Sequence, residues 1–356
     1  MSVIHSLQQK LAENKVDGLL ITSGINRRYA TGFTGSAGAL LLTENEALVI
    51  TDFRYTEQAT EQVSHCKIVK QNGTLAQEIA SQAKKLNINC LGFEKNKVTY
   101  AEYELYQDLL PEMNLVPVSQ LVESLRLIKT EEEIAVMKKA AKIADDAFTH
   151  IQGVIKPGVA EIDVSNELEF FMRKQGAVSS SFDIIVASGY RSALPHGVAS
   201  DKKIEAGELV TLDYGAYYHG YCSDITRTLA VGDISNELKL IYETVRVAQE
   251  LGMEGIKAGI TGKEADSITR NYITSKGYGD YFGHSTGHGL GMEVHEGPGL
   301  AKSSDIVLKP GMVVTVEPGI YVPGVGGTRI EDDIVITNEG NQSLTHSSKE
   351  LIYVGN

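Results

Sequence analysis

The sequence predicts an α+β protein of two units: a smaller α/β unit over residues 1–125 and a larger αβ unit over residues 126–356. Three observations carry that reading. A chain of 356 residues exceeds the usual size of one hydrophobic core, so about two domains are expected. Strand-like and helix-like segments alternate up to about residue 120. Beyond a capped helix, the remainder carries an internal repeat.

Taken in order, Met1 to Lys15 reads as a surface helix marked by Leu7 and Leu11, with no signal-peptide pattern. Gly18 to Thr22 reads as a strand. Gly38 to Thr43 and Ala47 to Thr51 form a hairpin around Glu44-Asn45-Glu46. A helical stretch from Leu75 to Leu86 precedes a short strand at Leu91-Gly92-Phe93. Thr130 with Glu133 makes a capping box, and Ile134, Met137, Ala141 and Phe148 mark one face of the helix it opens. A further helix runs from Glu161 to Gln175 and is closed by Gly176.

The repeat organises the second unit. Ile155-Lys-Pro-Gly158 returns as Ile256-Lys-Ala-Gly259, and each is followed by a helix ending at a glycine, Gly176 or Gly277. Gly207-Glu-Leu-Val-Thr-Leu-Asp213-Tyr-Gly215-Ala-Tyr217 returns as Gly311-Met-Val-Val-Thr-Val-Glu317-Pro-Gly319-Ile-Tyr321. Two echoes in the same order predict two related halves about a pseudo-twofold, and they pair Asp213 with Glu317.

Composition narrows the function classes. Lys+Arg of 33 against Asp+Glu of 46 leaves a net charge of −13, which argues against nucleic acid or an anionic membrane as partner. No apolar run approaches the roughly 18 residues of a membrane helix. Cys66, Cys90 and Cys222 are few, scattered and outside any CxxC, so each reads as a small buried hydrophobe in a reducing cytoplasm.

The acids then become specific. Asp213 and Asp224 lie eleven residues apart about a turn at Tyr217-Tyr-His-Gly220, so an antiparallel hairpin centred between Tyr218 and His219 sets them face to face. Glu317 and Glu331 are likewise centred on Gly324. Any one acid would be read as solvated, since Asp and Glu are mostly exposed. Four at mirrored positions in apolar strands instead point to cation binding, because close like charges otherwise force protonation. Gly283-His284-Ser-Thr-Gly-His288-Gly-Leu-Gly-Met-Glu-Val-His295 adds histidines among glycines, and His196 in Leu-Pro-His-Gly is the matching feature of the first half. His5, His65, His150 and His346 read as structural or exposed, and His219 as a solvent-facing turn residue. Gly283-His-Ser285-Thr-Gly287 matches the GxSxG elbow but lacks the strand before and the helix after that a nucleophile elbow needs. No HExxH, GxGxxG or GxxxxGK[ST] occurs.

These residues carry a family resemblance. Asp213, Asp224, His288 in Gly-His-Gly, Glu317 in Glu-Pro-Gly and Glu331 in Arg-Ile-Glu-Asp-Asp resemble the five-ligand set of the pita-bread dinuclear metallopeptidases. Over its whole length the chain resembles Xaa-Pro aminopeptidases (aminopeptidase P) and prolidases, with a creatinase-type N-terminal domain. The resemblance implies two divalent metal ions, with Mn²⁺ favoured by the carboxylate-rich set and Co²⁺ or Zn²⁺ as alternatives. It implies that Asp224 and Glu331 bridge both ions, that Asp213 completes one, and that His288 and Glu317 complete the other. Glu317 is further implied as proton acceptor, His295 as a stabiliser of the oxyanion, His196 as a substrate-orienting group and His284 as a mobile neighbour. Thr226 and Arg329 are expected to support the ligands or line the pocket, and Tyr321 either to line the pocket or to pack in the core. The implied substrates are peptides with proline in second position, and the implied assembly is a homodimer.

One departure separates the subclasses. A strict dipeptidase must anchor the substrate's terminal carboxylate, ideally with arginine. Prolidases typically carry one between the His-Glu and Glu-Pro-Gly segments, but Glu296 to Thr315 contains none, and Lys302 is a weaker substitute. The expectation is therefore an aminopeptidase releasing the N-terminal residue, with a proline dipeptidase as alternative. A non-catalytic binding protein on the same fold is the alternative of a different class, and the filled ligand set argues against it.

Overall fold

In the computed structural model, which describes residues 2–355, the chain divides between Arg126 and Leu127 into two units. In the first, strands β1 (Gly18–Ile21), β2 (Ala39–Thr43), β3 (Ala47–Thr51), β4 (Lys67–Lys70), β5 (Cys90–Glu94) and β6 (Asn114–Val118) form one sheet in the order β4-β3-β2-β1-β5-β6. Strand β2 pairs antiparallel with β1 and β3, and the other pairings are parallel. Successive side chains enter opposite faces. Leu19, Ile21, Leu40 and Leu42 join one apolar layer, which also takes Leu7 and Leu11 from the N-terminal segment. The helix there, Val3–Lys10, is thus docked through Leu7. Leu20, Leu41, Leu48 and Ile50 join a second layer with Ile79 and Ala83 of the helix Leu75–Lys85. Because both faces are covered, these strands read as continuous apolar runs. Cys222 is buried, but Cys66 and Cys90 are only half-buried, since one precedes the edge strand β4 and the other opens β5. No helix among the described residues is long and apolar enough to cross a membrane.

The second unit, a pita-bread domain, expresses the repeat as matching elements. Helix Glu131–Ile151 starts at the Thr130 capping box, where Thr130 N donates to the Glu133 carboxylate at 2.7 Å and Glu133 N to the Thr130 hydroxyl at 3.3 Å. Helices Glu161–Lys174 and Gly262–Ser275 occupy equivalent places in the two halves. Ahead of them, Gly158 N donates to the Ile204 carbonyl at 2.8 Å and Gly259 N to that of Leu308 at 2.9 Å.

The strands of the first half are β7 (Ser179–Ser180), β8 (Ile185–Ser188), β9 (Glu208–Tyr214), β10 (Ala216–Tyr218), β11 (Tyr221–Cys222) and β12 (Ile225–Val231). Those of the second are β13 (Gly287–Gly289), β14 (Glu296–Leu300), β15 (Val313–Val316), β16 (Gly319–Val322), β17 (Gly326–Arg329) and β18 (Asp332–Ile336). Each half is built on one long hairpin: β9–β10 returning as β11–β12, and β15–β16 returning as β17–β18. The returning strand breaks around Asp224 in one hairpin and around Glu331 in the other, and Glu317 lies in the break between β15 and β16. Regular pairing yields at the positions where acids collect.

Candidate metal centre

The first hairpin pairs Asp213 with Thr226, Tyr214 with Ile225 and Tyr217 with Cys222. Its centre lies between His219 and Gly220, not between Tyr218 and His219 as the sequence predicted. The cause is the turn itself. His219 (φ 49°) and Gly220 (φ 93°) are both left-handed, as a two-residue type I′ connection requires. The register therefore moves by two residues, and Asp224 lies diagonal to Asp213 instead of opposite it. Diagonal neighbours are roughly 7–8 Å apart, still close enough to share a cation. The second hairpin keeps its expected centre at Gly324: Gly319 pairs with Arg329 on one side and Val316 with Asp332 on the other, which sets Glu317 against Glu331. A bridge between Thr226 and Glu331 joins the two hairpins, with Glu331 N donating to the Thr226 carbonyl at 3.1 Å. Asp213, Thr226 and Glu331 thus stand in one row.

Asp224, His288 and Glu331 form the tightest group, with ligand atoms all within 4.8 Å of one another. Glu317 Oε1 is 3.4 Å from His288 Nε2. Burial, reinforced by Glu331 and Asp213, holds the Asp224 carboxyl well above the usual carboxylate range. Burial, with Glu317 and Asp213, does the same to Glu331. Burial also raises Glu317, against the pull of His284 and Arg329. Arg329 is the one guanidinium or ammonium among the described cavity residues, and it is committed to Asp213. Asp224 Oδ1 is buried without a hydrogen-bond partner. A cluster short of positive charge, holding an unpartnered carboxylate oxygen beside an imidazole, fits a divalent cation.

Surrounding residues fix these ligands. His288 Nδ1 donates to the Gly289 carbonyl at 3.1 Å, which leaves the Nε2 lone pair facing Asp224 and Glu317. Burial lowers the His288 pKa, which favours the uncharged ring. Arg329 bonds Asp213, donates to Thr226 Oγ1 at 3.1 Å, and donates to the Tyr321 hydroxyl at 2.8 Å. Thr226 Oγ1 in turn donates to Glu331 Oε2 at 2.6 Å. His284 is held by two hydrogen bonds: Nδ1 donates to the Ser285 carbonyl at 2.8 Å and Nε2 accepts from the Tyr321 hydroxyl at 2.8 Å. Tyr321 is buried, bonds His284 and Arg329, and is not among the side chains that line the cavity. His196 and His295 are exposed at the cavity wall, and the His295 ring lies 4.4 Å from that of His288 at 66°. The cavity measures about 520 Å³, with Phe182, Ile185, Pro195, Val198 and Val294 as its apolar side.

Several supporting residues escaped the sequence reading. Thr315 Oγ1 accepts from His288 N at 3.1 Å and donates to Glu317 Oε1 at 3.2 Å. Its sequence signal was its match with Thr211 in the repeat. Asp333 Oδ2 accepts from Asp224 N at 2.9 Å, and Asp332 pairs with Arg227 at 2.6 Å. The run Glu331-Asp-Asp within an apolar strand was the available sign. Gly287 admits close strand approach: a Cβ there would run into the Thr315 carbonyl. Gly287→Ala is expected to push the His288 strand outward, weakening metal affinity at least tenfold, about 1.4 kcal/mol, by calorimetric titration; unchanged affinity would show that this contact yields cheaply.

Residues 135–338 match Metallopeptidase family M24, and residues 4–128 match the Creatinase/Prolidase N-terminal domain. The chain is 61% identical to the uncharacterized peptidase YqhT of Bacillus subtilis, over 98% of this chain and 99% of that protein. The solved structure of a Xaa-Pro dipeptidase from Bacillus anthracis superposes with TM-score 0.97 at 60% identity, covering 99% of both chains. That of an X-Pro aminopeptidase from Thermotoga maritima superposes with TM-score 0.91 at 38% identity, covering 97% of this chain and 100% of that one.

Proposed function

We propose that this chain, which belongs to metallopeptidase family M24, hydrolyses the Xaa-Pro bond at the N-terminus of peptides and releases the N-terminal residue. The carrying observation is the buried, cation-deficient acid cluster opening onto a cavity whose other side is apolar. Asp224 and Glu331 would bridge two divalent ions, Asp213 would complete one and His288 with Glu317 the other, with Mn²⁺ the ion first expected and Co²⁺ or Zn²⁺ the alternatives. Such ions supply an easily deprotonated water and a Lewis acid for the scissile carbonyl. Glu317, whose basicity burial raises, takes the proton from the attacking water. His295 donates toward the developing oxyanion, and His196, on the cavity wall, orients the peptide around the scissile bond. The apolar side suits a proline ring.

A proline dipeptidase is the second reading, favoured by the Bacillus anthracis relative that bears that description. The cavity argues for the first: its one guanidinium is already spent on Asp213, leaving none for a terminal carboxylate. A cytoplasmic homodimer is part of the same proposal. The deciding assay takes protein dialysed free of metal and reloaded with Mn²⁺, and compares Ala-Pro with Ala-Pro-Ala. Turnover of both is expected. Cleavage confined to the dipeptide would select the second reading, and no turnover of any Xaa-Pro peptide would refute both.

A further inference from the structure

The loop between Ser188 and Ser200 carries Pro195, His196 and Val198 into the cavity wall, yet little of it is regular structure beyond the 3-10 turn Gly189–Ala193. Its two ends meet on one carboxylate. Glu161, the first residue of the helix Glu161–Lys174, is completely buried. One of its oxygens, Oε1, accepts from Ser188 N at 2.7 Å and Ser188 Oγ at 2.8 Å. The other, Oε2, accepts from Ser200 Oγ at 2.6 Å, Ser200 N at 3.2 Å and Arg191 Nε at 2.9 Å. Arg191 then carries the hold into the loop, donating through its other arm to the Val198 carbonyl at 2.7 Å. The opposite side of the loop is tied to the ligand hairpin. Ser192 Oγ accepts from Gly327 N at 2.8 Å, and the Pro195 carbonyl accepts from Arg329 at 3.2 Å.

We infer that Glu161 is a positioning residue for substrate: its carboxylate, through Ser188, Arg191 and Ser200, fixes the 188–200 loop so that His196 and Val198 meet the peptide in one geometry. Three features argue for this over a purely architectural role. The five bonds converge on the loop's two ends and on Arg191 within it, leaving the exposed side chains of Tyr190, Leu194, His196 and Val198 with few restraints of their own. A loop closed at its ends and braced inside loses its conformational entropy at folding instead of at substrate binding. An acid at the first position of a helix is further favoured by the helix dipole, so it serves as a charged anchor at low cost. Neither Glu161 nor Arg191 lines the cavity or meets a proposed metal ligand, so their influence is on binding geometry, not on the ions.

The kinetic arm rests on the peptidase reading; a second arm does not. Glu161→Gln presents an amide donor to Ser200 and Arg191, which are themselves donors, and so opposes half of the hub. Arg191→Met, at a half-exposed position, loosens the loop without emptying the core and covers the case in which Glu161→Gln fails to fold. In both variants, amide hydrogen exchange across residues 188–200 is expected to accelerate at least tenfold while β9 and β12 stay protected. KM for Ala-Pro-Ala is expected to rise about tenfold with kcat within about threefold, and Mn²⁺ affinity by calorimetric titration is expected to be unchanged. Unchanged exchange in the loop, or a fall in kcat with unchanged KM, would overturn the inference. Should the wild-type protein cleave no Xaa-Pro peptide, the proposed function falls and the exchange measurement decides the role of Glu161 by itself.

Discussion

Asp224→Ala is expected to abolish metal binding and to lower Xaa-Pro hydrolysis by roughly 10³-fold or more, about 4 kcal/mol of transition-state stabilisation. The fold should survive. Asp224 is buried among Glu331, Asp213, Asp333 and Glu317, its Oδ1 has no hydrogen-bond partner, and its carboxyl is displaced toward the neutral form chiefly by burial. Without cations this side chain contributes repulsion and desolvation, not stability. The metal-free variant should therefore melt no lower than the metal-free wild type. The difference should emerge on adding Mn²⁺. The wild type gains about 2.7 kcal/mol when the free ion stands at 100 times its dissociation constant, and the variant gains little. Thermal unfolding with and without Mn²⁺, beside the peptide assay, reads both effects. Full activity in Asp224→Ala would refute the site, and a variant unfolded at room temperature would assign Asp224 to the fold instead.

Arg227→Met is expected to have the largest effect on stability, about 3–5 kcal/mol, because it breaks a buried ion pair and leaves a buried charge behind. Arg227 is 1% exposed and lies behind the ligand row. It donates to the carbonyls of Thr226 at 2.9 Å and Glu331 at 2.5 Å, and so clamps the two hairpins at the bridge that joins them. It also donates to Asp332 Oδ1 at 2.6 Å and to the Ser347 carbonyl at 2.7 Å. Asp332, whose carboxyl burial would raise but Arg227 and Lys349 hold below the ordinary range, would keep only Lys349 as a cationic partner. A fall in melting temperature of about 6–20 °C for the metal-free protein is the expected reading, since roughly 2–4 °C corresponds to 1 kcal/mol at this unit size. Measuring without metal separates this loss from any change in ion binding. A shift below about 2 °C would show that water or a rearranged Lys349 replaces the guanidinium.

Some features were legible in the sequence because they depend on residue type and spacing alone. The Thr130–Glu133 cap, the apolar strands of the first unit and the repeat glycines Gly158 and Gly259 all belong to this class. Each is a local or periodic constraint that the chain meets wherever it is placed. The Gly324 centre of the second hairpin was equally readable, since it falls inside the turn-forming run Val322-Pro-Gly-Val-Gly-Gly327. The first hairpin was not. Symmetry between Asp213 and Asp224 pointed to one turn, whereas His219 took the left-handed conformation beside Gly220 and moved the register by two residues. Spacing counts residues, but turn type decides which of them face each other.

The sequence by itself determined which side chains gather: four acids on mirrored hairpins, too concentrated in apolar strands to be solvent-facing, and a histidine among glycines ahead of the second hairpin. Only the tertiary structure decided how they are held and what state they are in. Thr226 bonds Glu331 across two hairpins, Arg329 binds Asp213 from the far strand, Tyr321 pins His284, and Glu161 ties a loop whose ends are twelve residues apart. These partners lie up to 116 residues from one another in the chain. Their pairing and the desolvation that displaces the carboxyls arise from burial, and burial is a property of the packed chain that no local spacing encodes.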